Sequence, residues 1–181
     1  MIRGSHPVVR AAIVATAAMV TVVASAHSTS DAYLTLDAQA RKEANNNGAI
    51  VARGQWDISL RDLHFVLGLD DDGNGSITWA ELRKHQPAIA RYVYPNLRVS
   101  GDNGACVINP VRQAVTNHAD GAYAALFFDI VCTRAPQRLT LDYRLLFAVD
   151  PSHRGILLLR SGSTTAISLL APENSTVDLK L

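Results

Sequence analysis

Arg138-Leu139-Thr140-Leu141-Asp142-Tyr143-Arg144-Leu145-Leu146-Phe147-Ala148-Val149 is the stretch that decides the fold class. Leu139, Leu141, Tyr143, Leu145, Phe147 and Val149 fall at every second position, and a period of two is the signature of a strand buried on one face. Working outward, Ala122 to Cys132 repeats the pattern, with Ala124, Leu126, Phe128, Ile130 and Cys132 on one side. Gly155 to Leu159, Thr164 to Leu170 and Thr176 to Leu181 read as further short strands, and Ala105 to Asn109 as another, ended by Pro110. Asp31 to Asp37 and Ala49 to Ile58 form a first hairpin or two adjacent strands, separated by the polar turn segment Arg41 to Gly48. Many short strands with turn signals between them predict an antiparallel β-sandwich.

Between the first two strands and the rest, the period changes. Leu60, Leu63, His64 and Leu67 recur at helical spacing, with Phe65, Val66 and Leu69 widening the apolar face. Ser59 is placed to cap this helix, and His64 reads as a half-buried core residue. A second helix starts at Thr78 and carries Trp79, Leu82 and Arg83. Pro87 reads as its interruption and the first-turn residue of a following helix through Ile89, Ala90 and Val93, which Pro95 ends. The expected organisation is therefore a leader over residues 1–26 and a single β-sandwich domain over 27–181, with a helix-loop-helix insertion at 59–94.

The helices flank Asp70-Asp71-Asp72-Gly73-Asn74-Gly75-Ser76-Ile77-Thr78-Trp79-Ala80-Glu81. This run fits D-x-[DN]-x-[DN]-G-x5-E at every position. Calcium is a hard cation that takes six to eight oxygen ligands. Asp70, Asp72 and Asn74, at alternate positions, supply short oxygen-bearing side chains. Gly75 permits the sharp turn, Ser76 offers its carbonyl, and Thr78 acts directly or through a water. Glu81, one methylene longer, reaches back from the exit helix. Asp71 is no ligand in this scheme and reads as a solvated charge. The competing reading is an acidic turn that binds nothing. With its two helices the loop resembles an EF-hand, and the resemblance implies Ca2+ as the bound ion. EF-hands usually pair, and no second loop is present: Gly101 to Gly104 and Asn45 to Gly48 lack the spacing and the terminal Glu.

Arg3 and Arg10, an apolar run from Ala11 to Ala24 and the small-x-small Ala24-Ser25-Ala26 read as a secretory signal cleaved after Ala26. The run is shorter than the roughly 20 residues a span needs, which argues against the alternative, a retained anchor. A periplasmic or secreted location follows. Cys106 and Cys132, the only cysteines, are then expected to form a disulfide, the competing reading being a pair of buried thiols. A net charge of +1 with no basic stripe gives no reason to expect nucleic acid. No Ser-His-Asp order, phosphate loop or H-E-x-x-H appears, so no enzymatic activity is expected.

Cleavage after Ala26 would make His27 the first residue. Its free amine and imidazole together can chelate copper, with His153 the candidate partner and His118 a remoter one; otherwise His27 is simply the start of a terminus. The chain also resembles a second family. Ala26-His27, Ser30-Asp31-Ala32-Tyr33-Leu34, Gly54-Gln55-Trp56-Asp57-Ile58-Ser59-Leu60-Arg61-Asp62-Leu63 and Asp150-Pro151-Ser152-His153-Arg154-Gly155, in that order, are similar to the extracytoplasmic N-terminal region of HupE/UreJ-like membrane proteins. Those are named for hydrogenase and urease accessory factors, and in them a multi-span membrane region follows. The resemblance implies a stand-alone relative or a fragment of a larger membrane protein, with a membrane protein or membrane-embedded half as partner. It also sets an alternative function: a periplasmic accessory domain for a transition metal, copper or nickel, built on His27.

Overall fold

In the computed structural model, residues 30–38 and 49–181 are described. The leader, His27 and the Arg41 to Gly48 turn lie outside the described residues. The chain runs β1 (Asp31–Asp37), β2 (Ala49–Ser59), α1 (Leu60–Leu67), α2 (Trp79–Val93), β3 (Leu97–Gly101), β4 (Gly104–Ala105), β5 (Val107–His118), β6 (Gly121–Cys132), β7 (Arg138–Tyr143), β8 (Arg154–Ser161), β9 (Thr164–Leu170) and β10 (Thr176–Lys180). The described residues are mainly β, in two sheets. A six-stranded sheet has the order β5-β6-β2-β1-β8-β9, and a four-stranded sheet the order β10-β7-β3-β4.

Alternation becomes burial as period two requires. Leu34 and Leu36 of β1, Trp56 and Ile58 of β2, Leu126, Phe128 and Ile130 of β6, and Leu157 and Leu159 of β8 are buried from the six-stranded sheet. Leu97, Val99, Leu139, Leu141, Tyr143 and Leu179 are buried from the other, and all belong to one core cluster. Trp56 and Tyr143 join the sheets directly, their ring centroids 5.4 Å apart. Each fully buried large apolar side chain stabilises the fold by roughly 1.5–3 kcal/mol. The helices dock on the same core through Leu60 and Leu63 of α1 and Leu82, Ile89 and Val93 of α2.

Cys106 and Cys132 form a disulfide with a Cα–Cα distance of 4.3 Å. Cys106 lies where the chain leaves β4 in one sheet and enters β5 in the other, and Cys132 ends β6. The bridge therefore fastens a point at which the chain changes sheets. Among the described residues, no helix is long and apolar enough to cross a membrane.

Four expectations are corrected. The strands are not all antiparallel: β1 pairs with β8 in parallel, Ala32 opposite Gly155 and Leu36 opposite Leu159. A parallel pair needs a long crossover, here most of the domain, so nothing local encodes it. The alternating run from Arg138 leaves the sheet at Tyr143, and residues 145–149 form a turn with Leu146 at φ 61°. Pro87 does not interrupt α2, which runs unbroken from Trp79 to Val93. Pro87 and Arg83 are both exposed, so water can reach the carbonyl that the missing N–H leaves unpaired. Pro110 does not end its strand, because β5 is a sheet edge and takes a register shift between Pro110 and Arg112.

Candidate metal centre

The loop between the helices is anchored at both ends. Gly68, at φ 63°, terminates α1 and donates its N–H to the His64 carbonyl at 2.8 Å. Leu69 follows, fully buried, and fixes where the loop begins. At the other end Ile77 packs partly buried against the core. Thr78 is the N-cap of α2: its hydroxyl accepts from the Glu81 N–H at 3.3 Å, and its own N–H donates to Glu81 Oε2 at 2.8 Å. This reciprocal capping box was written in the sequence as Thr78-x-x-Glu81.

Between these anchors the acidic side chains turn inward. Asp70 Oδ1 accepts from the Gly73 N–H at 2.8 Å and the Asn74 N–H at 3.2 Å, and Oδ2 from the Gly75 N–H at 2.8 Å. Gly73 at φ 70° and Gly75 at φ 81° occupy the left-handed region that this wrapping requires. Glu81 Oε1 accepts from the Asp71 N–H at 2.8 Å. Oxygens of Asp70, Asp72 and Glu81 consequently lie within 4.8 Å of one another. Asn74 is held beside them, its amide donating to Asp72 Oδ2 at 2.8 Å and its Oδ1 accepting from the Ser76 N–H. Ser76 is exposed, and the Thr78 hydroxyl is engaged with Glu81 at 2.7 Å.

The electrostatics follow from these bonds. The Gly75 N–H, then those of Gly73 and Asn74, hold the Asp70 carboxyl below the ordinary carboxylate range. The Thr78 N–H, then its hydroxyl and the Asp71 N–H, do the same for Glu81. Both stay ionised at neutral pH, which is the state a cation needs.

Metal fit can be judged from the spacing. Two oxygens bound to one calcium at about 2.3–2.6 Å can be no more than about 4.6–5.2 Å apart. One oxygen from each of the three carboxylates lies within 4.8 Å of the others, inside the upper end of that range. The donors are all oxygen, the chemistry of a hard cation. His64, the nearby imidazole, is exposed rather than half-buried and turns its Nδ1 to the Asp70 N–H at 3.2 Å. Phe65, expected on the apolar face of α1, is 77% exposed.

Asp71 is more than a solvated charge. Its carboxylate takes Lys84 Nζ at 2.8 Å and His85 Nε2 at 3.0 Å, both from α2. Lys84 first, then His85, lowers its pKa. No local pattern announces this contact, since the residues are thirteen and fourteen positions apart.

The candidate second site is differently placed. His153 is fully buried, its Nδ1 2.7 Å from Ser30 Oγ and its Nε2 2.7 Å from the Tyr143 hydroxyl. Ser30 gives its own proton to Asp62 Oδ2 at 2.8 Å, so His153 donates from Nδ1 and accepts from Tyr143 at Nε2. Both ring nitrogens are thereby engaged within the protein. His118 pairs with Asp57 Oδ2 at 3.0 Å.

Comparison with known protein families gives no match, and comparison with curated proteins gives no significant one.

Proposed function

We propose that this chain is an exported calcium-binding module: a β-sandwich carrying one EF-hand at 59–94, in which the ion is structural. The observation that carries the reading is the convergence of Asp70, Asp72 and Glu81 oxygens within 4.8 Å, in a loop whose remaining donors are also oxygens. Asp70, Asp72, Asn74 and Glu81 would hold the ion, with the Ser76 carbonyl and Thr78 completing the set. Bound calcium supplies positive charge that offsets the mutual repulsion of three carboxylates.

Its structural consequence follows from where the ligands sit. Asp70 follows the buried anchor Leu69, and Glu81 belongs to the first turn of α2. A shared ion ties the end of one helix to the start of the other. An unpaired loop with three charged ligands suits the weak range of extracellular modules, about 10⁻⁴ M, where the ion is held constitutively rather than sensed. Calcium at 100 times its dissociation constant would add about 2.7 kcal/mol to stability. Export is supported by the Cys106–Cys132 disulfide, a bond that persists in oxidising compartments.

Thermal melts in calcium and in chelator test this reading. A rise in Tm with calcium, absent with potassium at equal ionic strength and lost in Asp70→Asn, supports a structural ion. Coincident melts in calcium and chelator would count against it.

A further inference from the structure

A groove of about 280 Å³ opens between α1 and the turn that follows β7. Asp62 and Phe65 of α1 form one wall, Leu146, Val149 and Asp150 the other, and Ser30 lies between them. The polar groups are fixed from beneath. Ser30 donates to Asp62 and accepts from the buried His153, which is itself braced by Tyr143. Asp150 is fixed too, its Oδ1 accepting the Ser152 N–H at 2.9 Å and hydroxyl at 2.6 Å.

The opposite wall is built with strain. Leu146 is the only non-glycine residue at positive φ among the described residues, and its side chain is buried. Its carbonyl accepts from the N–H groups of both Val149, at 2.9 Å, and Asp150, at 2.8 Å. That curl brings an apolar and an acidic side chain together at the groove. Backbone conformations of this kind persist where the surroundings over-determine them, and they concentrate at binding sites. Phe65 at 77% and Val149 at 49% exposure face solvent at this concave place, which sets them apart from scattered surface apolar residues.

Charge selects the occupant. The lining holds two carboxylates, Asp62 and Asp150, against one guanidinium, Arg61, which is 3.0 Å from Asp62 Oδ1. An anion would meet that excess negative charge. A neutral apolar body would bury the Asp150 charge with only the dipoles of the Ser152 N–H and hydroxyl against it, which is costly. We propose that the groove binds an organic cation carried on an apolar body, with the ammonium or guanidinium group between Asp62 and Asp150 and the hydrocarbon against Phe65, Leu146 and Val149. A lysine or arginine side chain of an extended peptide and a free amphipathic amine share this chemistry. The proposal does not rest on the calcium reading.

The test is calorimetric titration of the protein with phenethylamine, with its neutral analogue 2-phenylethanol, and with a capped Leu-Lys-Leu peptide. Saturable binding of at least one cation is expected, at least tenfold tighter than the alcohol. Asp150→Asn, which keeps an acceptor for Ser152, should weaken it about tenfold, and Phe65→Ser several-fold with no loss of Tm. Tighter binding of the peptide would identify a polypeptide as the source of the cation, and tighter binding of phenethylamine a free amine. Equal affinity for amine and alcohol would overturn the proposal, as would insensitivity to both substitutions. So would failure of both cations to saturate by about 10 mM, beyond the weak end of specific binding.

Discussion

The Asp71 N–H donates to Glu81 Oε1 at 2.8 Å, so the second and last residues of a twelve-residue loop are joined directly. The other Glu81 oxygen is held by Thr78, whose N–H and hydroxyl both donate to it at 2.8 and 2.7 Å. One side chain thus serves as both helix cap and loop clasp. Loop and helix therefore form a unit.

Because Thr78 caps α2, Thr78→Ala should destabilise the calcium-free protein by about 1 kcal/mol, the usual cost of losing such a cap. Thr78→Ser should restore most of it. Urea unfolding in chelator would measure both, and equal stability of Thr78→Ala and the parent would contradict the capping role.

His153 predicts a pH dependence whose sign is fixed. Burial lowers its pKa below 6.5, outweighing the carboxylates that face it, Asp62 of α1, Asp150 of the turn and Asp31 of β1; Arg154 adds to the lowering. The unfolded chain then binds a proton near 6.5 that the fold resists. This contribution is complete above pH 6.5 and is lost as pH falls towards the depressed folded value. Urea midpoints should drop between pH 7.5 and 5.5. A His153→Gln variant should be less stable at pH 7.5 but flatter across that range. An equally steep profile in the variant would assign the slope elsewhere.

The disulfide closes 26 positions of sequence. In the chain-entropy picture this contributes about 3.5 kcal/mol. The double variant Cys106→Ser, Cys132→Ser should melt roughly 10 °C lower, given about 2–4 °C per kcal/mol at this size. Calorimetric melts decide it, and an unchanged Tm would show that the bridge constrains little.

Gly54 of β2 faces Phe128 of β6, and a Cβ on residue 54 would fall 2.2 Å from the Phe128 ring. That contact is impossible without moving a fully packed aromatic. Gly54→Ala should cost about 1–3 kcal/mol as an overpacked core does. Gly54→Ala combined with Phe128→Leu should recover part of it, and additive losses would refute the clash.

What the sequence discloses depends on the range of the interaction. Period-two burial in β6 is a local property, and Ala124, Leu126, Phe128, Ile130 and Cys132, expected on one face, are all buried. The loop residues Asp70, Asp72 and Glu81 were also legible, because a local wrap brings them together. The parallel β1–β8 pairing was not, since its two strands are separated by most of the domain. Alternation also ran on past Tyr143, because Leu145 and Leu146 are buried in a turn and apolar spacing cannot distinguish a turn from a strand. Proline misled twice for one reason. Its missing N–H is tolerable wherever that N–H would face water, as on the exposed side of α2 or at the β5 edge. Phe65 fitted the apolar stripe by spacing, but α1 is only eight residues long and buries little beyond Leu60 and Leu63.

Calcium titration calorimetry on the protein beside its Glu81→Gln variant tests the central claim most directly. The account predicts one site in the parent. It predicts weakening by roughly a hundredfold or more in the variant, since even outer-shell partners of a metal are worth about 10–100-fold. Absence of binding heat at millimolar calcium in the parent, or equal affinity in the variant, would contradict it.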